Sequence, residues 1–432
     1  MNWSRRELLQ TLPGAAAWGT GRLLGGTSGL LLPTFASPSI NAEEKRLPPV
    51  RTITRGPKHH WFAYYDKWQF DPTDRYVLGN EVAFEHRSPT PGDEIAVGVV
   101  DLEDGDRWTE LGLSRAWNWQ QGCMLQWLPG DRRVVVWNDC GDSGGFVTRL
   151  YDFDERKLLR TIPAPIYALA PDGKTAIAPD FRRLNDTRPG YGYCGEIDPH
   201  RDEFAPSQTG LWKIDLESGR SELLFSFAQI AKFGDINDEM RQSKHWFNHL
   251  LFSPDGTRFV FLHRWKTAEM GNRRKTRMLT ANADGSDLHV LDASGVTSHF
   301  IWRDPRHILA WSNYQNRPGF FLFEDQTANA VQIAPQQMTA DGHCTYLPGN
   351  EWILCDTYPD KDRQQHPYLV HVESQSKLPL GHFHSPPQYV GEWRCDTHPR
   401  FSRSGRFVVI DSPHTGEGRQ MHLIDLRDIV GA

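Results

Sequence analysis

Leu250-Leu251-Phe252-Ser253-Pro254-Asp255-Gly256-Thr257-Arg258-Phe259-Val260-Phe261-Leu262 is an apolar run, a tight polar turn and a second apolar run. Pro and Asp-Gly set the backbone angles of a turn, and the β-branched and aromatic flanks favour extended chain, so the stretch reads as a β-hairpin. The pattern recurs at 68–77 around Phe70-Asp71-Pro72, at 125–136 around Trp127-Leu128-Pro129-Gly130, and at 167–178 around Leu169-Ala170-Pro171-Asp172-Gly173. Further copies occupy 300–311 around Trp302-Arg303-Asp304-Pro305, 344–355 around Tyr346-Leu347-Pro348-Gly349, and 399–410 around Phe401 and Gly405, seven in all.

Several of these hairpins are followed by a second, such as Leu211-Trp212-Lys213-Ile214-Asp215 with Ser221-Glu222-Leu223-Leu224. Two hairpins make a four-stranded unit of about 45 residues, and units closing in a circle leave only short, protected sheet edges. The sequence therefore predicts an all-β fold, a seven-bladed β-propeller of four-stranded antiparallel blades over 50–432. A strand near Val50 is expected to close the ring against 420–425. The widest interval between turns, from Leu169 to Phe252, holds an insertion at 182–207 rich in Arg, Pro, Gly and Tyr, expected on the binding face. An eighth, degenerate blade in that interval is the competing account.

The composition agrees with many short strands, since 37 Gly and 29 Pro punctuate a chain of 432 residues. A formal net charge of −6 gives no broad basic footprint, which argues against nucleic acid and leaves any acidic ligand to a local basic pocket. Ser4-Arg5-Arg6-Glu7-Leu8-Leu9 precedes a Gly/Ala/Leu run, and Thr34-Phe35-Ala36 offers small residues for cleavage. This predicts a twin-arginine-like signal peptide over 1–36, a linker over 37–49, and an exported, periplasmic protein with no membrane association after cleavage. Six cysteines are too few for a disulfide framework at this length, so a thiolate metal ligand is an alternative use.

Four repeats carry a histidine three residues before the aromatic anchor: His249 before Phe252, His299 before Trp302, His343 before Tyr346 and His398 before Phe401. The first strand of a propeller blade is innermost, so these positions border one central opening. Imidazole with thiolate suits a divalent transition metal, and Cys395 lies three residues before His398, with His343 on the preceding blade and His384 the nearest spare ligand. A buried cysteine beside a hydrogen-bonded histidine is the structural alternative.

The run Asn248 to Gly256, then Arg277-Met278-Leu279-Thr280-Ala281-Asn282-Ala283-Asp284-Gly285, Ser298-His299-Phe300-Ile301-Trp302 and His398-Pro399-Arg400-Phe401-Ser402, resembles the oligogalacturonate lyase family from about Lys244 onward. That resemblance implies a seven-bladed propeller that cleaves acidic sugars by metal-assisted β-elimination. It implies Arg277 and His299 in catalysis and His343 and His398 as ligands of a divalent ion, Mn or Zn. Cys395 stands where the family has a glutamine ligand and Arg400 where it has a further histidine. The N-terminal half is similar to ulvan lyases and rhamnose-glucuronate lyases, since Tyr167 and Arg183 have the sequence separation of their catalytic tyrosine and arginine. Their paired histidines have no counterpart in Trp117-Asn118-Trp119-Gln120-Gln121-Gly122, which leaves His60 or His86 as substitutes.

The expected catalytic set is therefore His299 as base with Arg277 on a carboxylate, or Tyr167 with Arg183, and His249 in the same ring. The expected metal set is His343, Cys395, His398 and His384. The expected partner is an acidic, uronate-containing oligosaccharide. A non-catalytic, TolB-like periplasmic propeller binding a protein or glycan is the second reading. A glycoside hydrolase is the third, and it requires two facing carboxylates among Asp66, Glu81, Asp139, Asp356 and Asp396.

Overall fold

The structure, a computed structural model, describes residues 47–431. The signal peptide and most of the linker expected from the sequence lie outside them. Among the described residues, seven antiparallel sheets of four strands follow one another along the chain. Blades 1 to 6 span 59–114, 126–162, 168–226, 244–295, 300–332 and 345–379, and blade 7 joins three strands of 400–425 to Val50–Thr52. The predicted closure is present: Val50 pairs with Ile424, Arg51 with Leu423 and Thr52 with His422. No eighth blade fills the long interval.

Apolar faces of neighbouring blades pack against each other. Phe225 of blade 3 meets Phe259 and Phe261 of blade 4, while Leu309 and Phe320 of blade 5 share a cluster with Tyr346 and Ile353 of blade 6. Trp117 and Trp119 belong to this core too, tilted against Trp61 at centroid distances of 5.8 and 5.3 Å. Burying each such aromatic is worth roughly 1.5–3 kcal/mol. All six cysteines are free thiols. No helix among the described residues is long and apolar enough to cross a membrane.

Two departures from simple repetition shape the centre. The first is the insertion after blade 3's second strand, which starts with the helix Phe181–Thr187, capped by Asp180 accepting from the Arg182 and Arg183 amides. The second lies in blade 1, whose inner strand His59–Trp61 is separated from the Phe70–Val77 bridge by residues that leave the sheet and cross the channel. Asp411 of blade 7 accepts from the Phe62 and Ala63 amides, and Ala63 takes φ +78°, a conformation unusual for a side chain with Cβ. From there Tyr64 reaches blade 4, Tyr65 exchanges hydrogen bonds with the Phe300 backbone of blade 5, and Lys67 lies over the Tyr167 ring of blade 3.

The closing seam carries a pH dependence. The Nε2–H of His422 donates to the Ser412 carbonyl at 3.0 Å, so its Nδ1 accepts from the Thr52 hydroxyl at 3.1 Å. Burial, reinforced by the neighbouring His414 ring, pushes its pKa down to about 3, and burial likewise takes His245 to about 4. The unfolded chain binds these protons from about pH 6.5 downward while the fold refuses them. Stability is thus complete above pH 6.5 and falls by about 1.4 kcal/mol per proton per pH unit toward pH 3–4. Denaturant midpoints across that range should show this slope, and His422→Gln should flatten it; an unchanged slope would reject the assignment.

Candidate active site

His249, His299, His343 and His398 come together as the register predicts. They sit on consecutive blades 4 to 7, all buried, with successive ring centroids 6.1, 4.2 and 4.2 Å apart. Backbone irregularity aims two of them. His249 is the extra residue of a bulge between Asn248 and Leu250, at φ +51°, and His398 takes φ +40° just before its strand. Tyr64 and Tyr65 pack among the four rings from the crossing segment.

Each imidazole has its own electrostatic setting. His299 Nδ1 lies 2.9 Å from Asp341; burial lowers its pKa and Asp341 only partly opposes this, so the ring is neutral near pH 7. His343 Nδ1 lies 2.9 Å from Asp356, whose charge overcomes burial and raises the histidine above its usual value. His249 is held well below the usual value by burial, then by the Arg188 charge and its histidine neighbours, and Tyr64 hydroxyl sits 2.5 Å from its Nδ1. Burial, with His343 and Arg400 nearby, depresses His398 as well.

A metal fits one side of this ring. One ligand atom each from His343, Asp396 and His398 lies within 4.8 Å of the others. Asp396 Oδ1 and His398 Nε2 are buried without a hydrogen-bond partner, which is costly unless something else engages them. Asp356 fixes the far nitrogen of His343 and takes a hydrogen bond from Thr397, as an outer-shell carboxylate does behind a ligating imidazole. The third side chain placed to serve as a ligand is Asp396, where the sequence suggested Cys395. The Cys395 thiol is buried and its pKa raised by burial, beside Arg419 and Asp411. His384 does not join the cluster, because it is exposed on a two-stranded ribbon with Gln364.

Cationic and phenolic groups form the outer rim. Arg394 donates to Asp396 at 2.7 Å and to the Tyr191 hydroxyl at 2.6 Å. The Arg188 guanidinium stacks 3.8 Å from the Tyr191 ring centroid, and its Nη1 is buried without a partner. Arg274 is exposed as a residue, yet desolvation and the neighbouring Arg188 lower its pKa to about 10, with Tyr191, Tyr358 and Arg394 also close by. Among the described residues, neither Arg188 nor Arg274 is paired with a carboxylate. Burial would raise Tyr191, but Arg188 and Arg394 reverse this and bring it down to about 8.

The two arginines expected from the sequence stand elsewhere. Arg183 is fully buried and all five of its N–H groups are engaged, by the carbonyls of His245, His200, Glu203 and Phe204 and by Asp198, so it staples the insertion to blade 4. Arg277 binds His263 Nδ1 and the Phe233 and Ile230 carbonyls. Tyr167 does reach the ring, accepting from Gln121 at 2.6 Å with His249 Nδ1 3.4 Å away. His60 is tied to Glu81 of blade 1 and Gln420 of blade 7. Asp341, Asp356 and Asp396 each face a histidine or arginine, not a second carboxylate. Arg188, Tyr191, Arg274, Tyr358, Arg394 and the Tyr64-Tyr65 pair carry no repeat signal; the composition of 182–207 was the available hint.

Replacing His398 or Asp396 by Ala should remove one tightly bound equivalent of Mn²⁺ or Zn²⁺ in equilibrium dialysis, and Asp356→Asn should weaken it about 10–100-fold. Retention by the His398→Ala protein would overturn the triad. Arg183→Ala leaves Asp198 buried without its partner and should cost about 3–5 kcal/mol in urea unfolding; a loss of less than 1 kcal/mol would contradict the stapling role.

No family model and no curated protein matches this chain. Solved structures do match in shape. An oligogalacturonate lyase from Vibrio parahaemolyticus superposes with a TM-score of 0.62 at 13% identity, over 89% of this chain and 95% of that one. The β-propeller domain of the Trilobed protease from Pyrococcus furiosus gives 0.47 at 10% identity, over 84% and 96%. TolB from Acinetobacter baumannii gives 0.39 at 14%, over 83% of each chain. The likeness to the lyase extends over nearly the whole chain, and what it establishes is the shared seven-bladed propeller fold.

Proposed function

We propose that this chain is an exported polysaccharide lyase that cleaves uronate-containing oligo- or polysaccharides by metal-assisted β-elimination at the histidine-lined mouth. The observation that carries the reading is the convergence of Arg188 and Arg274, both without an acidic partner, on Tyr191 beside four buried imidazoles. Such a rim attracts an anion to a place where proton-transfer groups wait. The twin-arginine-like start supports placing the activity outside the cytoplasm.

In this reading Arg188 and Arg274 hold the uronate carboxylate and stabilise the enolate-like charge that develops on it. His299, neutral and oriented by Asp341, takes the proton from the carbon next to the carboxylate. The electron pair left behind forms the new carbon–carbon double bond as the bond to the glycosidic oxygen breaks. Tyr191, kept protonated below about pH 8, gives its proton to that departing oxygen, and Arg394 steadies the phenolate that remains. A divalent ion held by His343, Asp396 and His398 would add Lewis-acid polarisation of the carboxylate.

The test is the ultraviolet absorbance of the unsaturated product with pectic, ulvan-like and glucuronan-like substrates. Silence across the panel rejects the reading. His299→Ala should lower kcat about 10²–10⁴-fold, and Arg188→Ala or Arg274→Ala should each lower kcat/KM about tenfold to hundredfold. Because His299 must be neutral and Tyr191 protonated, kcat/KM should rise from acid pH and fall again above about pH 8. In Tyr191→Phe the alkaline fall should vanish along with most of kcat; if that limb persists, Tyr191 is not the acid.

A further inference from the structure

Away from the ring, the loop that follows blade 6's second strand pairs with the segment that follows its fourth, forming a small ribbon of Gln364–Gln365 against Phe383–His384. Continuing its register sets His366 opposite His382, and their Nδ1 atoms are 2.7 Å apart. Behind His366, Asp360 Oδ2 lies 3.1 Å from Nε2. Asp360 accepts the Nε2–H proton, so the Nδ1 lone pair of His366 points at His382. Arg363 fixes the ribbon from beneath by donating to the Ser385, Pro386 and Tyr389 carbonyls. The group is open to solvent, with the His366 and Asp360 side chains 30% and 39% exposed.

Two imidazole nitrogens facing each other share either a proton or a metal ion. A tetrahedral ion about 2.0–2.1 Å from each nitrogen requires them about 3.3 Å apart. Exposed rings need to open by only about 0.6 Å from the observed separation to meet that demand. The proton now between them passes to the far nitrogen of His382. A carboxylate behind a ligating imidazole is the arrangement that fixes the tautomer and strengthens the ligand.

We propose that His366 and His382, oriented by Asp360, form a second divalent transition-metal site of the zinc class, distinct from the His343, Asp396 and His398 cluster. Nitrogen donors favour Zn²⁺ over Mg²⁺ or Ca²⁺, which take oxygen ligands. The remaining coordination positions face water, so the ion is exchangeable. It also sits on the loop that carries Tyr358 to the active-site rim, two residues before Asp360.

Calorimetric titration of the purified protein with Zn²⁺ tests this. His382→Ala should lose one class of Zn²⁺ site and keep the class that His398→Ala removes, and the His398→Ala protein should show the reverse. Asp360→Asn should weaken the ribbon class about 10–100-fold. Zn²⁺ stoichiometry and affinity unchanged in both His382→Ala and His366→Ala would overturn the site, whatever the lyase assay shows.

Discussion

The centre of this propeller depends on a buried ion pair between Arg400 and Asp411, both on blade 7 and almost wholly removed from water. The guanidinium meets the carboxylate at 2.8 and 3.1 Å and also donates to Gln69, Ala63 and the His398 carbonyl. The carboxylate in turn receives the Phe62 and Ala63 amides. Burying two charges is tolerable only when such partners satisfy them. The partners are the crossing segment of blade 1 and the left-handed turn at His398, so one interaction joins the last blade to the first and sets two sides of the histidine ring.

The same economy of partners governs the ring. Tyr64, Asp341 and Asp356 each occupy one nitrogen of His249, His299 and His343, while His398 Nε2 is left without a protein partner. Asp356 faces a histidine whose pKa it raises, Asp396 faces Arg394, and Asp341 orients the neutral His299. Arg188 and Arg274, without carboxylate partners among the described residues, thus stand beside the ring although the chain as a whole is acidic, a local arrangement that the formal charge of −6 does not reveal.

The fold was legible because each blade repeats one local solution, and the turn residues mark every copy. The histidine ring was legible for the same reason, since register converts directly into position around the channel. Arg183, expected from its separation from Tyr167, and Arg277, expected from motif resemblance, are engaged elsewhere in the fold, because neither spacing nor motif says which N–H groups are already taken. Cys395 and Asp396 are adjacent, and the sequence does not say which of the two turns toward His398; the fold turns Asp396. The crossing segment was invisible because it breaks the repeat, and Arg274 and Arg394 lie in connections where no periodicity applies.

The crossing segment has a further consequence. Below it, a cavity of about 580 Å³ lined by Asp66, Lys67, Trp68, Trp127, Trp302 and Arg403 opens on the opposite face. Tyr65, locked to Phe300, and the buried Asp66–Lys67 pair stand between that cavity and the imidazoles. The crossing segment thus walls the imidazoles off from that cavity. For the glycan of the proposed reading, this means lying across one doorway or entering by an end, and leaving by the way it came.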